Sequence, residues 1–188
     1  MNRDEAYQIL VQYIKNPNLI KHHLACEATM KALCRRLNPQ ADEREQERWG
    51  IVGLLHDADY ELTKETPEKH GLIIKEKNPN LPEDIWRAIA SHNGDRNGIT
   101  PKTPMEWSIY CCDELTGLIV AAALIHPDKK LSSIDVKFIM NRFGEKSFAK
   151  GADREMIKKC EEKLGIPLGE FVELTLSAMQ TISGEIGL

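Results

Sequence analysis

Residues 54–60 read LLHDADY, in which a run of apolar residues ends in an adjacent histidine and aspartate, His56 and Asp57, with Asp59 two positions further on. The apolar residues before the pair favour burial of at least part of the motif. An imidazole and a carboxylate are costly to bury unless something compensates them. A metal ion would compensate both, so the motif raises the hypothesis of a metal site.

Helical periodicity of apolar residues dominates the chain on both sides of this motif, and no stretch alternates apolar and polar residues long enough to demand a strand. Proline, glycine and asparagine separate the periodic segments. We therefore predict an all-α protein with no sheet. The predicted helices cover about residues 4–14, 19–37, 43–56, 68–77, 83–92, 105–125, 133–143, 153–164 and 168–184.

Length and charge limit the class of protein. The chain has 188 residues, enough to bury a substantial core in one domain, and a formal net charge of −4. This charge argues against general nucleic-acid binding and leaves small anionic substrates open. We interpret residues 1–188 as a single domain, with the metal-site core at about 18–125 and a C-terminal helical extension at about 128–188.

Cysteine usage and apolar runs bear on the compartment. The five cysteines are odd in number and include no CxxC pair, which favours reduced thiols. The N-terminus MNRDEAYQ has no signal-peptide hydrophobic region, and the longest apolar stretch, residues 117–125, is shorter than the roughly 20 residues that a membrane helix needs. We expect a cytoplasmic protein without a membrane span. The sequence does not predict its oligomeric state.

Several polar residues fall on predicted helix faces that are otherwise small and apolar, by the i, i+3, i+4, i+7 rule. They are His22, His56, Asp57, His70, His92 and Asp113. One inward histidine is more often a satisfied core residue than a ligand. Four histidines and two aspartates on five successive helices are satisfied together if they converge on metal. His23 falls on another face, and Cys26, beside His22, is interpreted as packing.

This ordered set resembles the HD superfamily of metal-dependent phosphohydrolases, whose pattern is a histidine, an HD pair, often two further histidines, and a late aspartate. The resemblance covers roughly residues 18 to 125 and is carried by KHHLACEA, LLHDADYE, EKHG, ASHNG and CCDELTGL. It implies an HD-domain helical bundle, most like the small stand-alone bacterial HD-domain hydrolases. The absence of a GYP tripeptide argues against the cyclic-di-GMP phosphodiesterases, and HDADYE in place of HDxxED argues against hydrolases of guanosine tetraphosphate.

The resemblance also implies a ligand set. One metal would be held by His22, His56, Asp57 and Asp113. His70 and His92 match the positions that hold a second ion in two-metal members, with Asp57 bridging; with a single ion they would contact substrate phosphate instead. Imidazole and carboxylate ligands fit one or two divalent ions of Mn, Fe, Zn, Co or Ni better than Ca, without selecting among them.

These ligands predict a phosphohydrolase, a phosphomonoesterase or phosphodiesterase acting on a nucleotide or other small phosphorylated metabolite through a metal-activated water. Asp57 and His56 are the predicted catalytic residues. Lys69 and Arg96 are candidate phosphate contacts or simply solvated charges. Asp59 either hydrogen-bonds to a metal ligand and so orients it, or caps a loop or helix end. Two alternatives stay open: a metal-binding or ligand-sensing HD module without turnover, and a di-iron oxygenase of HD fold.

Overall fold

The computed structural model describes residues 1–188 and contains eleven α-helices and no strand, which confirms the predicted all-α class. Three short 3₁₀ turns, at Tyr60–Leu62, Pro67–Lys69 and Leu131–Ser133, connect some of them. The helices are α1 Arg3–Tyr13, α2 Pro17–Leu37, α3 Glu43–Leu55, α4 Ile73–Lys77, α5 Glu83–His92, α6 Gly94–Asn97, α7 Pro104–Ile125, α8 Val136–Gly144, α9 Arg154–Leu164, α10 Leu168–Thr181 and α11 Ser183–Ile186.

Most of the long helices begin where a side-chain oxygen accepts a backbone N–H of the first turn, which satisfies one of the otherwise unpaired donors there. The capping residues are Asn2, Asn16, Asp42, Thr103, Asp135 and Asp153. These short-range signals explain why the observed helix starts lie close to the predicted ones.

One hydrophobic core, from Ala6 in α1 to Ile186 in α11, holds the helices together. Helix α7 lies at its centre and contacts α2, α3, α5, α8, α9 and α10. By length and composition α7 could also cross a membrane, and 61% of its most apolar window is buried inside the protein. The C-terminal helices pack on the same central helix that carries Asp113.

Helices α2 and α3 make the closest crossing near the motif. A Cβ placed on Gly53 would lie 2.5 Å from the carbonyl oxygen of Cys26 and 2.7 Å from the amide nitrogen of Glu27, inside the 3.0 Å below which Cβ atoms essentially never approach. Only glycine allows this contact between the two backbones. Cys26 lies one turn after His22 and Gly53 one turn before His56, so the crossing sets the separation of the two histidines.

The segment 68–77 is where the helix prediction is wrong. His70 has an extended backbone, Gly71 has φ +81°, and only Ile73–Lys77 is α-helical. The buried carboxylate of Asp59 accepts the backbone N–H groups of Gly71 and Ile74, each at 3.0 Å, which holds the break in place. His70 therefore projects from a loop, and the predicted ligands do not lie on five successive helices.

Candidate metal centre

Three side chains, which we call the helix cluster, meet where α2, the end of α3 and α7 converge: His22, His56 and Asp113. The Nε2 atoms of His22 and His56 are 3.1 Å apart. Asp113 Oδ1 lies 2.9 Å from the first of these nitrogens and 3.3 Å from the second. A neutral histidine presents one lone pair and a carboxylate only lone pairs, so a cation placed among these atoms satisfies all three.

The other ring nitrogen of each histidine is already engaged. His56 Nδ1 donates to the Gly53 carbonyl at 2.8 Å. The Thr116 hydroxyl donates to the Asp113 backbone carbonyl at 2.8 Å, which leaves its oxygen to accept from His22 Nδ1 at 3.2 Å. In this tautomer both Nε2 atoms keep their lone pairs directed into the cluster, as metal ligands require.

A second set, the loop cluster, consists of Asp57, His70 and His92. Asp57 Oδ1 lies 2.8 Å from His70 Nε2 and 3.2 Å from His92 Nε2, and these two nitrogens are 3.0 Å apart. His92, the last residue of α5, donates its Nδ1–H to the Ile89 carbonyl. The loop cluster therefore repeats the pattern of the helix cluster: the Nδ1 atoms hydrogen-bond to the surrounding protein, and the Nε2 atoms converge on the carboxylate.

The Asp57 carboxylate faces both clusters. While Oδ1 contacts the loop cluster, Oδ2 lies 3.9 Å from His22 Nε2 and 3.7 Å from His56 Nε2. The two oxygens of one side chain are thus divided between two groups of nitrogens.

Asp59 makes contacts compatible with both of the roles that the sequence left open. Its Oδ1 lies 2.8 Å from His70 Nδ1, which fixes the orientation of that ring. The same carboxylate accepts the backbone N–H groups at the start of α4 and is fully buried. Its two oxygens thereby tie the break in segment 68–77 to the loop cluster.

The electrostatics of the metal-free site depend on protons held between histidines and carboxylates. Burial raises the pKa of Asp57 and Asp113, but His56 and the neighbouring histidines outweigh it and hold both pKa values well below the ordinary value. Burial lowers the pKa of His70, but Asp57 and Asp59 outweigh it and raise this pKa to about 10. A metal ion must replace such protons in order to bind.

The residues fit a metal ion by donor type and by proximity. The ligand atoms of the loop cluster lie within 4.8 Å of one another, as do those of the helix cluster together with Cys26 Sγ. Cys26 is buried, lies 3.5 Å from the Thr116 hydroxyl and 4.0 Å from His22 Nε2, and burial raises the pKa of its thiol well above the ordinary value. Cys26 therefore lies beside the helix cluster rather than only packing in the core. The raised pKa favours its neutral thiol.

A cavity of about 470 Å³ is lined by all three residues of the loop cluster and by Asp113 of the helix cluster. Arg96, one of the two candidate phosphate contacts, lines it, whereas Lys69 is exposed at the end of a 3₁₀ turn and does not line it. A contact between Lys69 and a substrate phosphate stays a prediction, and the lining of this cavity does not support it. Tyr60, next to the motif, also lines the cavity and meets His70 edge to face, with ring centroids 5.8 Å apart.

Sequence reasoning missed the contribution of the C-terminal helices. Gly151, Asp153 and Met156, from the α8–α9 loop and α9, line the same cavity. The Asp153 N–H donates to Glu114 Oε2 at 3.0 Å, and burial together with the adjacent Asp113 raises the pKa of Glu114 to about 7. No periodic pattern signals this approach, because it depends on how α9 packs on α7.

The two adjacent histidines of α2 differ in burial, and the order is the reverse of the one expected from their helical faces. His23 is fully buried, neither ring nitrogen has a hydrogen-bond partner, and burial and then His56 hold its pKa well below the ordinary value. The His22 side chain is 21% exposed and lines a separate hollow beside Lys21 and Gly117. His23 packs behind His56, with ring centroids 5.0 Å apart, and belongs to neither cluster.

Comparison with known proteins adds no family assignment: no protein-family model, no curated protein and no solved structure matches the chain. Any functional conclusion must therefore be argued from the two clusters and the cavity onto which they open.

Proposed function

We propose that the protein is a metal-dependent phosphohydrolase of the HD type, which hydrolyses a phosphomonoester or phosphodiester of a nucleotide or other small phosphorylated metabolite. The observation that carries this proposal is the Asp57 carboxylate, with one oxygen directed to each cluster of imidazole nitrogens. Such a site favours a binuclear centre over two independent ones.

Each ion would have its own ligands and a share of Asp57. The helix cluster with Asp57 Oδ2 would hold one, and the loop cluster with Asp57 Oδ1 the other. When bound, divalent ions supply a water of lowered pKa and positive charge that stabilises phosphoryl oxygens. The mixed nitrogen and oxygen donors are compatible with Mn, Fe, Zn, Co or Ni.

The protein's own residues orient the ligands and the substrate. The Gly53 and Ile89 carbonyls, the Thr116 hydroxyl and the Asp59 carboxylate hold the histidine rings so that Nε2 points inward. Arg96 is the one arginine or lysine that lines the cavity, and it would pair with a phosphoryl oxygen.

The charge of the cavity wall supports metal dependence. Its acidic residues, Asp57, Asp95, Asp113, Glu114 and Asp153, outnumber its two cationic groups, Arg96 and the protonated His70. A phosphate would be repelled by this wall unless bound cations reversed its charge. Metal binding is therefore expected to precede phosphate binding.

The test begins with elemental analysis of protein purified without chelator or added metal. The protein is then reconstituted with each candidate metal and assayed for release of p-nitrophenol from p-nitrophenyl phosphate and bis(p-nitrophenyl) phosphate. About two ions per chain, with metal-dependent hydrolysis that Asp57→Asn abolishes and His23→Leu preserves, is the expected result.

Other outcomes select the alternatives. Two iron ions with redox-dependent colour and oxygen consumption would replace hydrolysis by oxygenase chemistry. Bound metal with no turnover of any phosphoester would favour a sensing module. A failure to bind metal after reconstitution would overturn the proposal together with both alternatives.

A further inference from the structure

The segment between α8 and α9, residues 145–153, separates the metal cavity from a second hollow. Gly151 and Asp153 line the cavity onto which the clusters open. The same two residues line an adjoining hollow of about 700 Å³. A ligand that occupies the metal cavity could therefore extend past this 145–153 loop into the hollow.

The 145–153 loop has a fixed conformation. The Arg154 guanidinium donates to the backbone carbonyls of Ala149 and Ala152, each at 2.6 Å, and to that of Phe148. Ala149 has φ +40°, which a non-glycine residue adopts only where its surroundings enforce it. Together with the bond from the Asp153 N–H to Glu114, these contacts fasten the loop beside the helix cluster.

The charges of the second hollow are of two kinds. Several are already committed: Arg154 to backbone carbonyls, Lys158 to Glu155 at 2.8 Å, and Asp153 to the first turn of α9. Lys146 and Lys150, by contrast, are exposed and take part in no ion pair. The hollow thus offers two uncommitted cations next to an acidic cavity.

We propose that Lys146 and Lys150 bind a second anionic group of the substrate, apart from the phosphoryl group that is hydrolysed. The substrate class is then a compound with at least two anionic groups, one at the metals and one beyond the 145–153 loop. This inference rests on the proposed function and makes the two lysines specificity-determining residues. Arg96, on the metal side of the loop, contacts the phosphoryl group itself.

The experiment compares alkanediol bisphosphates of three to six carbons with the matching alkyl monophosphates. Affinity for metal-loaded protein is measured by calorimetry, and inhibition of p-nitrophenyl phosphate hydrolysis in parallel. The variant is Lys146→Gln/Lys150→Gln. The charge-matched control is Lys77→Gln/Lys137→Gln, two exposed lysines that make no ion pair and line neither the cavity nor the hollow.

For one chain length we expect the bisphosphate to bind at least about tenfold more tightly than its monophosphate, as charged hydrogen bonds imply. The gain should persist in the control and vanish in the Lys146/Lys150 variant, with hydrolysis of p-nitrophenyl phosphate unchanged. No gain at any length, or an equal gain in the variant, would overturn the inference. If no phosphoester is hydrolysed, the proposed function fails, while the calorimetric comparison still tests the lysines.

Discussion

The helix cluster and the loop cluster use the same kind of ligand but are positioned by different forces. His22 and Asp113 project from long helices whose spacing is set by core packing, including the contact of Gly53 with α2. His70 projects from a break in the chain that is held by the carboxylate of Asp59. One cluster therefore depends on helix packing and the other on a local hydrogen-bond network.

This difference bears on how firmly each cluster is preorganised. Core packing is lost only when the helices separate, whereas a loop held by a few hydrogen bonds, worth about 1 kcal/mol each, can open locally. We therefore expect the helix cluster to hold its ion more tightly. Mutations in the hydrogen-bond network should empty the loop cluster alone.

The largest effect is expected from Asp57→Asn, because Asp57 is the one ligand that the two clusters share. The substitution removes a negative charge from both, so the protein should lose both ions, and phosphoester hydrolysis should fall by at least about 10²-fold. Elemental analysis and turnover measure this, with Asp113→Asn expected to empty only the helix cluster. Retention of one ion by Asp57→Asn would show that the carboxylate does not bridge.

Gly53→Ala tests whether helix packing positions the helix cluster. The added methyl group would collide with the α2 backbone, and we expect destabilisation by about 1–3 kcal/mol although alanine favours helices. Urea unfolding of the metal-free protein measures the change, and metal titration should show weakened binding at the helix cluster. Gly117→Ala is the control: its Cβ meets nothing within 4 Å, so it should stabilise by about 0.5–1 kcal/mol. Similar effects at both positions would remove the packing argument.

Asp59→Asn tests the hydrogen-bond network. The amide keeps the shape of the carboxylate, but it removes the charge beside His70 and replaces one acceptor of the Gly71 and Ile74 N–H groups with an NH2 donor. Affinity at the loop cluster should therefore fall by about 10–100-fold. Affinity at the helix cluster should stay within about twofold of wild type. Metal titration of both proteins decides the matter, and an equal loss at the two clusters would contradict the separation drawn between them.

Proton release should accompany metal loading of the loop cluster. Because its pKa is raised to about 10, His70 is protonated at neutral pH in the metal-free protein and must lose a proton before Nε2 can bind an ion. Affinity should therefore rise with pH, by at most about tenfold per unit, until about pH 10. Calorimetry in buffers of different ionisation enthalpy counts the protons; a count that is the same in Asp59→Asn would oppose this assignment.

The same shift has a consequence for the metal-free fold. Since the folded pKa of His70 lies above its ordinary value of 6.5, its contribution to stability is complete below that pH. The contribution is lost as the pH rises through about 10. Urea unfolding across this range measures it.

The smallest effect is expected from His23→Leu. The substitution removes two buried nitrogens that have no hydrogen-bond partner and keeps a similar volume, so the free energy of unfolding should change by less than about 1 kcal/mol. Metal content should equal that of wild type. Loss of metal in this variant would mean that His23, rather than His22, serves the helix cluster.

The sequence predicts local structure better than tertiary approach. Asn16 before Pro17, Asp42 and Thr103 are short-range signals, and the helices they cap begin within two residues of the predicted starts. The break at His70 depends on hydrogen bonds to Asp59, eleven residues earlier, and on Gly71 packing against Ala90, nineteen residues later. Apolar periodicity reports neither contact.

The same limit applies to the candidate site. The predicted ligands that lie on helices or at their ends carry a signal in the sequence because each interrupts an apolar face; they are His22, His56, His92 and Asp113. Gly151, Asp153 and Met156 carry none, because ordinary loop and helix residues become part of the cavity only through the packing of α9 on α7. His23 shows the converse, since a fully buried histidine need not be a ligand.

If each cluster holds an ion as proposed, the division of the Asp57 oxygens between the clusters would make metal binding at one a determinant of binding at the other. An ion on one oxygen would fix the rotamer of Asp57 and so lower the entropic cost of binding the next ion at the second oxygen. The same ion would also reduce the negative charge that attracts the next one. Whichever of these dominates, thermodynamic reciprocity requires that each ion change the affinity of the other by the same factor. Under the proposed binuclear centre, the effect of an ion in one cluster on the affinity of the other would therefore measure how strongly Asp57 couples them.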